Sequence, residues 1–131
     1  MSATLDRFRT PLKRVRGLGS AKGGVHHWWW QRVTAVALVP LSLWFWWFCA
    51  AHAGADAAQW RAAVGDPLSA VLLISLLVCL FHHGQLGVQV IVEDYVHVRW
   101  LELSLIVATK FLAFAGAVGG SLAVVRIALG A

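Results

Sequence analysis

The sequence predicts an all-α integral membrane protein with three transmembrane helices. Of its 131 residues, 60% are hydrophobic and only 13% are charged, whereas about a quarter of the residues of an ordinary soluble domain are charged. A spanning helix needs about 20 apolar residues, and the chain contains three apolar runs of about this length between short polar segments. Three spans and their connections fill such a chain, so a soluble enzymatic domain is excluded.

The first apolar run, at about residues 33–51, is predicted to be a retained span. Tryptophans flank it, with Trp28–Trp30 before it and Trp44, Trp46 and Trp47 towards its end. Tryptophan is enriched at both membrane interfaces, and a cleaved signal sequence has a shorter apolar core. We therefore expect this run to cross the bilayer.

The second and third spans are predicted at about residues 68–92 and 101–125. Asp66 and Pro67 mark the start of the second helix, because Asp is a favoured N-cap and Pro suits the first helical turn. Two polar segments connect the spans, an external loop at residues 52–66 and a cytoplasmic turn at residues 93–99.

The basic residues predict the orientation. Eight of the eleven Lys and Arg residues lie on the side of the N-terminus, namely Arg7, Arg9, Lys13, Arg14, Arg16, Lys22, Arg32 and Arg99. Arg61 and Arg126 lie on the other side, so the positive-inside rule places the N-terminus in the cytoplasm and the C-terminus in the periplasm. Residues 1–24 are then a basic cytoplasmic segment before a membrane domain at residues 25–131. The net charge of +5 reflects this flank rather than a nucleic-acid site.

Two adjacent histidines, His82 and His83, lie within the second span. Ionisable side chains inside a membrane are costly and are functional candidates; a neutral imidazole is a good axial ligand for haem iron. Hydrogen bonding between helices is the structural alternative. At 100° per residue, His83 shares a helix face with Gly87 and Asp94, whereas His82 points about 100° away. This favours His83 as the ligand, with His82 as the alternative.

A wider pattern of residues surrounds these histidines. It comprises Val25-His26-His27-Trp-Trp-Trp-Gln31-Arg32-Val33-Thr34-Ala35 around the start of the first span, and His83, three residues, Gly87, six residues and Asp94-Tyr95 in the second. In these residues, and in its three-span plan from about residue 16 onwards, the chain resembles the hydrophobic membrane anchor subunit of succinate dehydrogenase, respiratory complex II.

The resemblance implies roles for individual residues. His83 would be one axial ligand of a b-type haem, whose second histidine comes from a companion cytochrome b anchor subunit. Tyr95 would hydrogen-bond a carbonyl oxygen of ubiquinone at the cytoplasmic side, and Asp94 would orient Tyr95 or relay protons. Arg32 and His26 match the family's positions near the haem propionates.

The resemblance also implies the biological setting. The chain would be an anchor without activity of its own, in a bacterial inner membrane, joined to an iron–sulfur subunit and a flavoprotein subunit that deliver electrons from succinate to ubiquinone. Two other functions remain open: a haem-free structural anchor, and a small transporter or proton-conducting subunit that uses His82, His83 and Lys110. Lys110 itself is expected to snorkel or to meet a carboxylate.

Overall fold

Four α-helices make up the chain where the computed structural model describes it, at residues 24–130. They are α1 (Gly24–Ala51), α2 (Ala57–Gly65), α3 (Pro67–Tyr95) and α4 (Arg99–Ala128). Three of them, α1, α3 and α4, are long and apolar enough to cross a membrane, with mean hydropathies of 1.8, 1.9 and 1.8. Residues 24–130 contain no strand. The all-α fold with three spans is therefore confirmed. The predicted cytoplasmic segment lies outside the described residues, apart from Gly24.

Each predicted span lies inside one of the long helices, and the predicted turn at residues 93–99 is shorter than expected. Helix α3 continues through Tyr95 and α4 begins at Arg99, so only Val96–Val98 connect them. Two contacts extend α3: the Val96 N–H donates to the Val92 carbonyl, and the Gln89 amide donates to Glu93 at 2.7 Å. Side-chain pairs four residues apart stabilise a helix, so the polar residues continue it instead of ending it.

The segment predicted as an external loop at residues 52–66 contains the short helix α2, which is a second correction. Its start is a complete capping box: the Gln59 N–H donates to Asp56 Oδ1 at 2.8 Å, and the Asp56 N–H donates to Gln59 Oε1 at 3.0 Å. This pairing satisfies two backbone donors that a helix start otherwise leaves free.

The predicted start of α3 is confirmed. The Asp66 side chain accepts a hydrogen bond from the Ser69 N–H at 3.0 Å, and Pro67 lies in the first turn. Proline needs no N–H partner there, since the first N–H groups of a helix have none within it.

Helix α3 lies at the centre of the bundle. It packs most extensively against α4 and also against α1 and α2. Two glycines of α4, Gly116 and Gly120, allow the close approach: a Cβ atom at Gly116 would lie 2.5 Å from the Phe81 ring, and one at Gly120 would lie 3.0 Å from Leu77. Small residues four apart commonly let transmembrane helices pack closely.

Aromatic side chains close the bundle where α1 ends. The Phe48 side chain, only 3% exposed, lies with its ring 5.1 Å from Trp44, 4.7 Å from His52 and 5.7 Å from Trp60 of α2. A buried cluster beside it consists of Ala70, Leu73 and Val124, with Val64 of α2 packed against it. Helix α2 thus packs against α3 and α4 and contacts the end of α1 through Trp60.

Candidate functional site

A polar contact between α1 and α3 surrounds His83. Its Nδ1 lies 3.0 Å from the hydroxyl oxygen of Thr34, and its Nε2 lies 3.5 Å from the side-chain amide nitrogen of Gln31. Thr34 is only 5% exposed, and His83 is half-buried. Because Gln31 and Thr34 are nearly one turn apart on α1, a single face of that helix meets both ring nitrogens.

Gly87 lies on the same side of α3 as His83. A Cβ atom at Gly87 would lie 3.8 Å from the Gln31 amide nitrogen, so the Gln31 side chain passes between the imidazole and this glycine. The helical phase had predicted that His83 and Gly87 share a face, and both do face Gln31.

His82 has different surroundings. It is exposed, and its ring meets the edge of Trp30 with centroids 5.8 Å apart. It borders an open cleft of about 600 Å³ between the helices. Polar side chains that line this cleft include His26, His27, His82, Gln85, Gln89 and Lys110.

Lys110 lines the same cleft as His82. It is eleven residues from the start of α4 at Arg99, which is about 16 Å along the helix. It faces a cleft lined by imidazole and amide groups rather than hydrocarbon alone, which provides polar surroundings for the ammonium group. Among residues 24–130 the one ion pair is that of Arg99 with Glu102, so the expected carboxylate partner for Lys110 is absent from this range.

The two residues matched to haem propionates lie on the first turns of α1. The Trp30 indole donates a hydrogen bond to His26 Nε2 at 2.8 Å. The guanidinium carbon of Arg32 lies 3.7 Å from the centre of the Trp28 ring, in a cation–π contact. Both His26 and Arg32 are exposed. They have different neighbours, so the chain alone does not assemble them into one anion site.

Asp94 and Tyr95, matched to the quinone site, lie in the last turn of α3. Both are exposed, Tyr95 to 78%, and neither side chain makes a hydrogen bond to any of residues 24–130. Their polar groups are free to bind a molecule that approaches from outside the chain.

Sequence reasoning missed a row of polar side chains on α3. The Gln85 amide donates to Gln89 at 3.1 Å, and the Gln89 amide donates to Glu93 at 2.7 Å. The spacing of four residues was a visible signal, since residues four apart on a helix are neighbours. The row connects the cleft with the end of α3 that carries Asp94 and Tyr95.

Two buried polar atoms near His83 and the cleft have no hydrogen-bond partner among residues 24–130. They are Gln31 Oε1 and His27 Nε2. Buried polar atoms in folded proteins nearly always have a partner. Partners for these atoms must therefore come from beyond the described residues or from another molecule.

Comparisons with known proteins identify the family. The model of the succinate dehydrogenase/fumarate reductase transmembrane subunit family matches residues 6–123. The chain belongs to this family. Within it, the chain is a succinate dehydrogenase membrane anchor of the hydrophobic subunit type, and its three long helices are membrane spans.

Bacterial relatives agree with the family match. The succinate dehydrogenase hydrophobic membrane anchor subunit of Rickettsia bellii is 36% identical over 103 residues, which cover 79% of this chain and 82% of the relative. The subunit of the same name from Rickettsia conorii is 31% identical, with the same coverage. The subunit from Paracoccus denitrificans is 34% identical over 89 residues, which cover 68% of this chain and 69% of the relative. No solved structure matches the chain significantly.

Proposed function

We propose that this anchor subunit holds a b-type haem through His83, together with a histidine of a companion cytochrome b anchor subunit, and forms part of a ubiquinone reduction site. The observation that carries this proposal is the environment of His83. One ring nitrogen is hydrogen-bonded to Thr34, and the other lies 3.5 Å from the flexible side-chain amide of Gln31, which is next to Gly87. An axial ligand needs such a held ring with one accessible nitrogen.

The residues present fit a haem group. Because the macrocycle itself supplies four nitrogen ligands, this chain needs to contribute a single imidazole, and no cluster of three metal-binding side chains is required. Gln31 can move aside from Nε2 by rotation of its side chain, which gives up only the long 3.5 Å contact of its amide nitrogen, since its Oε1 has no partner among residues 24–130. Haem, when bound, would supply a one-electron redox centre inside the membrane domain.

Arg32 and His26 support the haem in this proposal by pairing with its propionates. Both are exposed on the first turns of α1, and the guanidinium suits a carboxylate through paired hydrogen bonds. His82 remains the alternative ligand, since it borders the open cleft.

The quinone site is proposed at the end of α3. Quinone reduction consumes two protons as well as two electrons, so its site should lie near water and offer hydroxyl and carboxyl groups. Tyr95 and Asp94 provide both groups at a helix end, and both are free of internal hydrogen bonds among the described residues. Tyr95 would donate to a quinone carbonyl oxygen, and Asp94 would orient it or relay protons.

The proposed setting is the inner membrane of a bacterium, with the N-terminus in the cytoplasm and the C-terminus in the periplasm. There the chain assembles with the companion anchor, the iron–sulfur subunit and the flavoprotein subunit. It has no activity alone: electrons from succinate reach ubiquinone at the surface where the soluble subunits meet the membrane anchors.

The test is a reduced-minus-oxidised absorption spectrum of the purified complex carrying His83→Leu, with His82→Leu as the matched control. We expect most of the b-type signal to disappear in His83→Leu and to persist in His82→Leu, because, of these two histidines, it is His83 whose ring is hydrogen-bonded to the buried Thr34. The opposite result would assign the iron to His82. An absent signal in the unmodified complex would favour the haem-free anchor.

A further inference from the structure

We infer that Thr34 is a positioning residue that fixes His83 in the tautomer with its proton on Nδ1 and its lone pair on Nε2. This role rests on the proposed function of His83 as haem ligand and adds a residue to that site. Three polar contacts around a single atom, the hydroxyl oxygen of Thr34, support it.

The proton of the Thr34 hydroxyl is used within α1. The hydroxyl oxygen lies 2.7 Å from the carbonyl oxygen of Trp30 and 3.1 Å from that of Gln31. Carbonyl oxygens only accept hydrogen bonds, and a hydroxyl has one proton to donate. Two oxygens 2.7 Å apart need that proton between them, since their lone pairs would otherwise repel. Threonine commonly makes this bond to its own helix.

The remaining contact must therefore run in the other direction. With its proton given to the backbone, Thr34 Oγ1 offers only lone pairs to His83 Nδ1, which lies 3.0 Å away. The imidazole must donate, so Nδ1 carries the proton. A neutral imidazole has one N–H, so Nε2 carries the lone pair. The amide nitrogen of Gln31, a donor, faces Nε2 at 3.5 Å, in agreement with this assignment.

The contact is well protected, because Thr34 is 5% exposed and lies within a membrane span. Histidines that bind metals usually donate their second ring N–H to a fixed acceptor, which sets the tautomer and ring orientation and raises the basicity of the ligand. His82, which meets the Trp30 ring edge, makes no hydrogen bond to residues 24–130. Thr34 therefore gives His83 a fixed hydrogen-bond partner that the adjacent His82 does not have.

The experiment compares the purified native complex with variants Thr34→Val, Thr34→Ser and Thr109→Val. Valine keeps the shape of threonine and removes the hydroxyl. Thr109 is the matched control, because its hydroxyl donates to the Leu105 carbonyl at 2.8 Å in α4 and does not contact His83. Haem content per complex and the midpoint potential of the haem are measured by redox titration, and His83→Leu is analysed in parallel.

We expect Thr34→Val to raise the midpoint potential, because a less basic imidazole stabilises oxidised iron less. Loss of the residue that holds a metal-binding histidine also weakens metal binding about 10- to 100-fold. The haem content of the Thr34→Val complex should therefore fall on dilution. Thr34→Ser and Thr109→Val should resemble the unmodified complex.

Two results would overturn the role of Thr34: an unchanged potential and haem content in Thr34→Val, or the same changes in Thr34→Ser, which would indicate packing by the methyl group. If His83→Leu loses the haem while Thr34→Val matches the unmodified complex, only the role of Thr34 fails. If His83→Leu keeps its haem, the proposed function fails as well.

Discussion

The two ends of the helix bundle differ in how fully the chain completes them. At one end, which we call the closed end, α2 packs over Phe48 and the Leu73 cluster, and the helix starts at Asp56 and Asp66 are capped. At the other, the open end, Tyr95 is 78% exposed, and neither its hydroxyl nor the Asp94 carboxylate makes a hydrogen bond to residues 24–130. The closed end accounts for stability within the chain, whereas the open end exposes groups that other molecules can satisfy.

The largest loss of stability is expected from Phe48→Ala at the closed end. Truncating a buried phenylalanine typically costs about 3–5 kcal/mol, because the three aromatic neighbours lose their contacts and a cavity remains. Phe45→Ala is the control, since Phe45 lies on the same helix but is 40% exposed. Thermal unfolding of the purified complex measures both variants. Equal losses of stability would show that the closed end is not specially packed.

A smaller effect is expected from Gly116→Ala, between the two ends. The added methyl group would lie 2.5 Å from the Phe81 ring, so the ring or α4 must shift. Overpacking of this kind costs about 1–3 kcal/mol. Gly119→Ala is the matched control, because a Cβ atom there meets nothing within 4 Å. Thermal unfolding should show a lower stability for Gly116→Ala than for Gly119→Ala. Equal stability of the two variants would show that close packing of α3 and α4 does not require a glycine at position 116.

The smallest effect on stability is expected from Tyr95→Phe at the open end. Its hydroxyl makes no hydrogen bond to residues 24–130, so the unfolding free energy should change by less than about 0.5 kcal/mol. The rate of quinone reduction should nevertheless fall about 10- to 100-fold, because this is the effect of losing one hydrogen bond to a group that becomes charged in the reaction. Succinate oxidation with an artificial dye acceptor should persist. Full quinone turnover in this variant would refute the role of Tyr95.

The spans could be predicted because hydropathy is a property of consecutive residues. The start of α3 was also predictable, since Asp66 and Pro67 act within one turn. Helix α2 was missed although Asp56 and Gln59 carried a capping signal three residues apart. The end of α3 was misplaced because Glu93 was interpreted as a turn residue, whereas its hydrogen bond with Gln89 continues the helix.

The candidate site was predictable only where its residues share one helix. The spacing of His83 and Gly87 predicted a common face, and both face Gln31. Thr34 received no role because its partner is 49 residues away and no local pattern connects them. Gly116 and Gly120 were given no role from the sequence, because only the structure shows that Phe81 and Leu77 occupy the space beside them.

The three-residue connection at Val96–Val98 has a consequence for the order of assembly. Helices α3 and α4 are joined by these residues alone, whereas α1 is joined to α3 through residues 52–66. Closing three residues instead of fifteen costs about 1.4 kcal/mol less chain entropy, which favours a hairpin of α3 and α4 that forms before α1 docks. The contact between Thr34 and His83 is then among the last to form. Until it forms, the imidazole is accessible from the side that α1 will cover.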